Sequence, residues 1–588
     1  MAGGTSDRPF VSPAASRAMT LTDSPSSRPA SPPASAAEQD AHPSGRRIAA
    51  LALAGLLLLA FLLRLWGFRT GLPYSYNRDE NAHFVLYAIS LFGHGWDPNY
   101  FDNPPALIYL LHLVFAVRFG GGDGAARAFA QSPSAVFETA RLTSVLLGTA
   151  SVGLLYLVGR RALGQAGALL TAAILAVAFL PVSYAHLALN DALTILPVSI
   201  ALLGSVLVIR SGRARDYALA GAGVGLAAAT KYTAGIALLP VLGAVGVRLL
   251  PPGERRAALR GLALALLAAV VAFAVVDPYA LLRLSDLRDA LHREALVAAG
   301  TAKLGVTEHS GLLYYLWTAS WGLGWAPALL ALGGAVLLVR DDRRLAALLV
   351  PAPVLFILFM GSWDRYFGRW LLPIFPFLCL LAGYGTLRLI RLLAARPGVL
   401  GRVLPAAAVA LVLAQGLGTS VHNDLVLSRP DTRNTTRAWM VRNIPAGSRV
   451  VIEPIVPDEW VRRRAASGPR AHAGRLWVNG FGFGPEYYEK KLSPARIDAY
   501  IQRGYCWVVS GSTESGRAYA APGEAPGAIA YYRELARRAP VVFHASPYDK
   551  GAAPVRFNFD WSFNFYPLAY HRPGPEMTVY RLRGGACG

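Results

Sequence analysis

The chain has 588 residues, of which 54% are hydrophobic and only 16% charged. Its mean hydropathy is +0.38. Soluble globular chains carry about 25% charged residues, so the composition excludes an ordinary soluble domain and indicates a membrane protein. The net charge of +22 raises nucleic acid as a partner, but the placement of the basic residues assigns it to membrane topology instead. The three cysteines, Cys379, Cys506 and Cys587, are too few for a disulfide framework and wrongly spaced for zinc. Cys506 and Cys587 are the two that could pair outside the membrane.

Residues 1–45 are rich in Ser, Pro and Ala; such a segment buries too little apolar surface to offset its ordering entropy and reads as a disordered tail. The first apolar run, 48–66, follows Arg46 and Arg47 and is long enough to span a bilayer, which takes roughly 20 residues. No small-residue cleavage site follows it, so it reads as a retained signal anchor. Further runs lie near 138–159, 165–184, 189–209, 216–230, 232–248, 260–276, 312–339, 344–361, 367–387 and 400–420, for about eleven spans in all. One set of loops holds Arg46, Arg47, Arg160, Arg161, Arg210, Arg213, Arg215, Arg255, Arg256, Arg340, Arg343, Arg388 and Arg391. The positive-inside rule makes these loops cytoplasmic. The other set collects acids, among them Asp79, Glu80, Asp97, Asp102, Asp191, Asp277, Glu308 and Asp364, and is external. The run 104–119 is short for a span, and counting it as one inverts every later loop; it reads as a re-entrant or interfacial helix. After 421, strand-like runs at 449–452, 506–509, 541–544 and 578–582 alternate with helix-like segments at 433–442 and 494–503, which predicts a small α/β domain. The expected fold is therefore a polytopic α-helical membrane protein in the cytoplasmic membrane. It has a cytoplasmic tail (1–45), a membrane domain (46–420, with a first external loop at 67–137) and an extracytoplasmic α/β domain (421–588).

Chemistry concentrates in the first external loop. Asn77 is placed to cap a helix, with Glu80 three residues on as a capping-box partner, and Asp79 and Glu80 sit in a first turn where the helix dipole favours anions. Two acids stabilising a helix start account for that pattern without any chemistry. The apolar stripe that follows, Phe84, Val85, Tyr87, Ala88, Leu91 and Phe92, suits a helix on the membrane surface. A carboxylate at its start would stand at the lipid–water boundary. Adjacent helical residues diverge by about 100°, so Asp79 and Glu80 are both catalytic candidates, one to act and the other to cap. His83 lies one turn on; a metal site with the acids is conceivable, but a satisfied or interfacial histidine is the simpler reading, and no metal or other cofactor is required by the pattern. Asp277 and His309 read as cavity or loop residues. The sequon at Asn434 is too common a match to use.

The Asp79-Glu80 pair after the first span resembles that of the lipid-carrier-dependent glycosyltransferases of family 39, which include the protein O-mannosyltransferases and aminoarabinose transferases (GT-C fold). Four further segments are similar to that family in order and sidedness: YFDNPPALIYLL, ETARLTSVLLGTASVGLLYLVGRRALG, GAGVGLAAATKYTAG and RWLLPIFPFLCLLAGYG. Together they cover roughly residues 47–420. The resemblance implies an inverting transfer from a polyprenyl-phosphate sugar to a polar acceptor (glycan, lipid or protein) on the external face. It makes Asp79 the base and Asp191 a second acidic position that orients acceptor or sugar. Lys231, Arg365 and Arg369, at the external ends of spans, are the candidates for the lipid phosphate; snorkelling to the interface is their alternative. Some aminoarabinose transferases have a lysine where this chain has Asn103, so Asn103 with Asp102 suits neutral sugar hydroxyls instead. A secondary transporter places ionisable residues at mid-membrane on broken helices, and the runs here carry few. A non-catalytic scaffold or sensor would tolerate loss of Asp79.

Overall fold

Inside a bilayer every backbone N–H and C=O must find its partner within the chain, so the long apolar runs fold as helices. The computed structural model describes residues 43–300, 304–306, 310–445, 448–457, 460, 475–476, 488–558, 560 and 567–588. The expectation for the tail up to residue 42, and that for His309, lie outside them. Among the described residues eight helices are long and apolar enough to cross a membrane, or up to ten if two bent pairs each form one span. The chain is a multi-pass membrane protein.

The difference from about eleven has identifiable causes. The run expected at 138–159 and most of that at 165–184 fall in one helical stretch, Pro133–Val177, of 45 residues; the end of the second lies in the short helix Phe179–Tyr184. As a straight helix it would measure roughly 68 Å, more than twice the bilayer core of about 30 Å. Gly164, at φ 78° and ψ −177°, interrupts it. A Cβ on Gly159 would lie 2.9 Å from the Ala168 Cα, whereas nine residues along a helix are separated by about 13 Å. The stretch is thus a helical hairpin turning at Gly164, a conformation that glycine adopts at little cost. The helix Ala214–Thr230 has 17 residues. The run expected as one span at 312–339 is two helices, Gly311–Gly322 and Trp325–Asp341, bent by 115°. The segment expected to be re-entrant or interfacial is the helix Ala106–Phe119, followed at 87° by Gly122–Gln131.

Small residues set how closely the helices approach. A Cβ on Gly204 would meet the Ala220 backbone N at 2.4 Å, one on Gly223 the Ala201 N at 2.3 Å, and one on Gly221 the Ala265 O at 1.9 Å. Ala214–Thr230 is therefore held backbone to backbone between Ile195–Ser211 and Arg255–Val276, the close approach that small residues permit in membranes. This fixes the position of Lys231, the residue that ends the helix.

The expected α/β segment forms a five-stranded sheet: β1 (Arg449–Ile452), β2 (Arg475–Leu476), β3 (Tyr505–Gly511), β4 (Val541–Ala545) and β5 (Met577–Arg581). The order is β2-β1-β3-β5-β4. β1 runs parallel to β2 and β3, and β5 antiparallel to β3 and β4. Cys506 and Cys587 are disulfide-bonded, with Cα atoms 5.2 Å apart, tying the chain's last residues to β3. The helix Leu400–Leu427 runs unbroken through residue 421, and residues 47–588 form one compact unit. Asn434 donates to the carbonyls of Gly71 and Leu72 and accepts from the Tyr76 hydroxyl. Its amide is occupied in joining the helix Thr432–Asn443 to the first loop.

Gly204→Ala is expected to destabilise the protein by about 1–3 kcal/mol through overpacking. Gly333→Ala, where a Cβ meets nothing within 4 Å, should be neutral or stabilising; thermal unfolding of the two variants in the same detergent checks the contrast.

Candidate active site

Four chain breaks at one end of the helices deliver the charged side chains. Asp79 immediately precedes the six-residue turn Glu80–Val85, a π-helix, whose start Asn77 caps by accepting from the Asp79 and Glu80 N–H groups at 3.1 and 3.2 Å. Asp191 lies in the short helix Asn190–Leu193, Lys231 is the extended residue after Thr230, and Arg369 is the second residue of the 3-10 segment Gly368–Ile374. They meet in a cavity of about 450 Å³ that is also lined by Arg365, His83, Asp102 and Asn103. Every site residue predicted from the sequence lines this cavity except Glu80.

The charges alternate. Arg369 binds the Asp79 carboxylate at 2.7 Å and approaches Asp191 at 3.6 Å, and Lys231 pairs with the other oxygen of Asp191. Arg369 and Lys231 are thus paired with acids in the protein interior rather than snorkelling to the interface. Asp191, with its side chain 5% exposed, is locked between two cations, whereas Asp79, 37% exposed, and Asp102, 39% exposed, are reachable by an incoming group. Lys231 stands over the Trp370 ring at 5.8 Å and Arg369 over that of Phe367 at 4.8 Å. Arg365 is fixed through its backbone, whose N–H donates to the Ala298 carbonyl at 3.1 Å. Asp102 faces Arg293 at 3.5 Å. Among the described residues no group of three or more His, Cys, Asp or Glu side chains is placed to hold a metal ion.

Glu80 corrects the expectation that both acids of the pair are catalytic candidates. It is fully buried and takes two hydrogen bonds from Arg141 at 2.7 Å, one from the Ala188 N–H at 2.9 Å and one from the Ser75 hydroxyl. A carboxylate with its lone pairs so committed has no place for an acceptor proton. Nor does it close a capping box, since its side chain turns to Arg141. Burial works to raise its pKa, but the Arg141 charge and these donors outweigh it and hold the group below the ordinary carboxylate value. Asp277 likewise lies away from the cavity, capping the turn Pro278–Leu282 through the Ala280 N–H at 3.2 Å, and burial raises its pKa to about 6.

Sequence reasoning missed four residues here. Arg141 was legible: a lone arginine inside an apolar run demands an acidic partner. Tyr100 and Glu294 line the cavity. Glu294 comes from the helix Leu284–Gly300, and burial, with Asp102 nearby, raises its pKa above the ordinary range. Asp560 accepts from the Gly368 N–H at 3.3 Å and from the Tyr314 hydroxyl, and so fastens the segment that carries Arg369. No local pattern marked these three, because their roles arise from contacts distant in sequence.

The profile of the dolichyl-phosphate-mannose-protein mannosyltransferase family matches residues 102–281. Among solved structures, the oligosaccharyltransferase AglB of Archaeoglobus fulgidus, in complex with an inhibitory peptide and a dolichol-phosphate, is similar with a TM-score of 0.54 at 13% identity, over 88% of this chain and 75% of that one. ArnT of Cupriavidus metallidurans bound to undecaprenyl phosphate gives a TM-score of 0.48 at 15% identity, over 80% and 94%. The Pmt1-Pmt2 protein O-mannosyltransferase of S. cerevisiae gives 0.33 at 20% identity, over 41% and 34%. No curated protein sequence matches. The family match thus covers residues 102–281, and the likeness to AglB shows a shared fold.

Arg141→Met strands the Glu80 carboxylate and is expected to cost about 3–5 kcal/mol; Glu80→Gln added to it should restore much of the loss, as read by thermal unfolding. Because the Glu80 pKa is depressed in the fold, the pair's contribution is complete above about pH 4.3, the unfolded value, and is lost as pH falls through the lower folded value.

Proposed function

We propose that this protein is an inverting glycosyltransferase that moves a sugar from a polyprenyl-phosphate donor to a polar acceptor on the external face of the cytoplasmic membrane. One observation carries the reading: the partly exposed carboxylate of Asp79 shares a cavity with three cations, Lys231, Arg365 and Arg369, and the Asp191 carboxylate is locked by two of them. Direct displacement at an anomeric carbon needs one base and a stabilised leaving group. Asp79 takes the proton of the acceptor hydroxyl. The oxygen attacks the anomeric carbon from the face opposite the phosphate, and the bond from that carbon to the phosphate oxygen breaks. The polyprenyl phosphate leaves with its charge held by Lys231, Arg365 and Arg369. Asp191 acts by holding Lys231 and Arg369 in place. A single displacement with Asp79 as the base inverts the anomeric configuration. The cations supply the charge stabilisation, so the scheme calls for no metal.

Three features support the sidedness. Asp191 and Arg210 lie at opposite ends of the span Asn190–Ser211, and Arg161, Arg210, Arg213 and Arg215 surround one cleft at the end away from the cavity, as a cytoplasmic surface requires. The Cys506–Cys587 disulfide fits an oxidising, extracytoplasmic compartment. The sheet lies on the side of the first loop, to which Asn434 joins it.

Purified protein in lipid nanodiscs, supplied with a panel of polyprenyl-phosphate sugars and acceptors, should transfer sugar. Asp79→Asn should lower kcat by about 10²–10⁴-fold with unchanged thermal unfolding. Transfer that survives the substitution would remove Asp79 as the base.

A further inference from the structure

A chain of hydrogen bonds along the cavity wall has a direction that can be worked out from its fixed end. The Thr230 carbonyl can only accept. The Asn190 side chain must therefore turn its amide nitrogen toward it, and the distance is 3.0 Å. The same nitrogen donates to the Asn103 Oδ1 at 3.3 Å, which turns the Asn103 nitrogen toward Tyr100, where it donates to the hydroxyl at 2.7 Å. That hydroxyl has one proton and one other partner among the described residues, the His83 Nδ1 at 2.6 Å. Asn103 supplies no free acceptor to it, and Nδ1 is the one acceptor its proton meets among the described residues, so the Tyr100 hydroxyl donates to Nδ1. The Nδ1 of His83 is then an acceptor, and the proton of the neutral ring resides on Nε2. Burial, only partly opposed by Asp79, keeps the ring below its ordinary pKa, consistent with a neutral imidazole.

His83 lines the cavity beside Asp79, and its Nε2 has no protein partner among the described residues. The relay engages the neighbouring Asn103 amide: its oxygen accepts from Asn190 and its nitrogen donates to Tyr100. What the His83 ring offers a ligand is a donor N–H. A sugar hydroxyl or ring oxygen can accept from it; the ammonium group of an amino sugar cannot.

We propose that the Nε2–H of His83 is a specificity contact for an oxygen of a neutral sugar on the lipid donor, its tautomer set by the relay from the Thr230 carbonyl through Asn190, Asn103 and Tyr100. This rests on the proposed function, which supplies the lipid-linked sugar. Asn190, Asn103 and Tyr100 are positioning residues, since they act through the imidazole. Tyr100 in addition stacks on Tyr87, with ring centroids 4.8 Å apart, which holds its hydroxyl in line.

Two measurements on the full chain in nanodiscs test this. In the first, ¹⁵N spectra of histidine-labelled protein, with the His83 signals identified by their loss in His83→Gln, should show a neutral ring protonated at Nε2, and Tyr100→Phe should shift the tautomer balance. A ring protonated at Nδ1 in the wild type overturns the relay whatever the protein binds. In the second, binding of undecaprenyl-phosphate mannose is compared with that of undecaprenyl phosphate alone. His83→Ala should weaken the sugar-bearing lipid about tenfold, the scale of one hydrogen bond, and leave the bare lipid unchanged. His83→Gln, whose amide nitrogen stands near the position of Nε2, should recover most of the loss. Equal weakening of both lipids, or of neither, overturns the specificity contact while the proposed function stands. Failure of the wild type to bind either lipid overturns the proposed function, and this contact with it.

Discussion

The arrangement depends on one guanidinium shared by two acids. Arg369 holds Asp79 at 2.7 Å and stands 3.6 Å from Asp191, and Lys231 neutralises Asp191 from the other side. At the edge of a membrane a lone charge is expensive, so each of these side chains requires the others. The requirement fixes the segments that carry them: the start of the first-loop turn, the 190–193 helix, the break after Thr230 and the 368–374 turn. Asp560 fastens the last of these to a residue far along the chain. In the proposed reaction the same cations exchange part of their carboxylate pairing for the phosphate of the lipid. That exchange would leave Asp79 freer to take a proton when the donor is in place.

The two adjacent acids divide their tasks because a helical turn separates neighbours by about 100°. Glu80 points into the protein, where Arg141 and two further groups, the Ser75 hydroxyl and the Ala188 N–H, use it to join the first loop to the hairpin Pro133–Val177 and to the backbone at Ala188. Asp79 points into the cavity. A buried ion pair is weak evidence for net stability, but once built its halves are costly to separate. Glu80 thereby holds the turn on which its neighbour stands.

Much of the fold was legible in the sequence because the bilayer couples apolar length to helix so tightly. Each expected run is helical over most of its length, with breaks inside those at 165–184 and 312–339, and each of the four expected strands is found within a residue or two. The exceptions have a common origin. The 115° bend between Gly322 and Trp325 falls inside an unbroken apolar stretch, where hydropathy carries no signal of direction; the hairpin turn at Gly164, by contrast, was announced by Arg160 and Arg161. The site was partly legible for the same reason: Asp191, Lys231, Arg365 and Arg369 sit at run ends that alternation of loops places on one side. The division between Asp79 and Glu80 was left open, since it depends on Arg141, sixty-one residues on. Tyr100, Glu294 and Asp560 were not read at all, because an ordinary aromatic or acid in a loop gains its role only through a distant partner.

The most direct test of the central claim, direct displacement with Asp79 as the base, is the anomeric configuration of the product. A polyprenyl-phosphate sugar of known configuration is turned over by the purified protein in nanodiscs, and the product is read by NMR before it can epimerise. The account predicts the opposite configuration to the donor. A product of retained configuration would require a covalent glycosyl intermediate, which contradicts a single displacement in which Asp79 takes the acceptor proton and Asp191 is locked between Lys231 and Arg369.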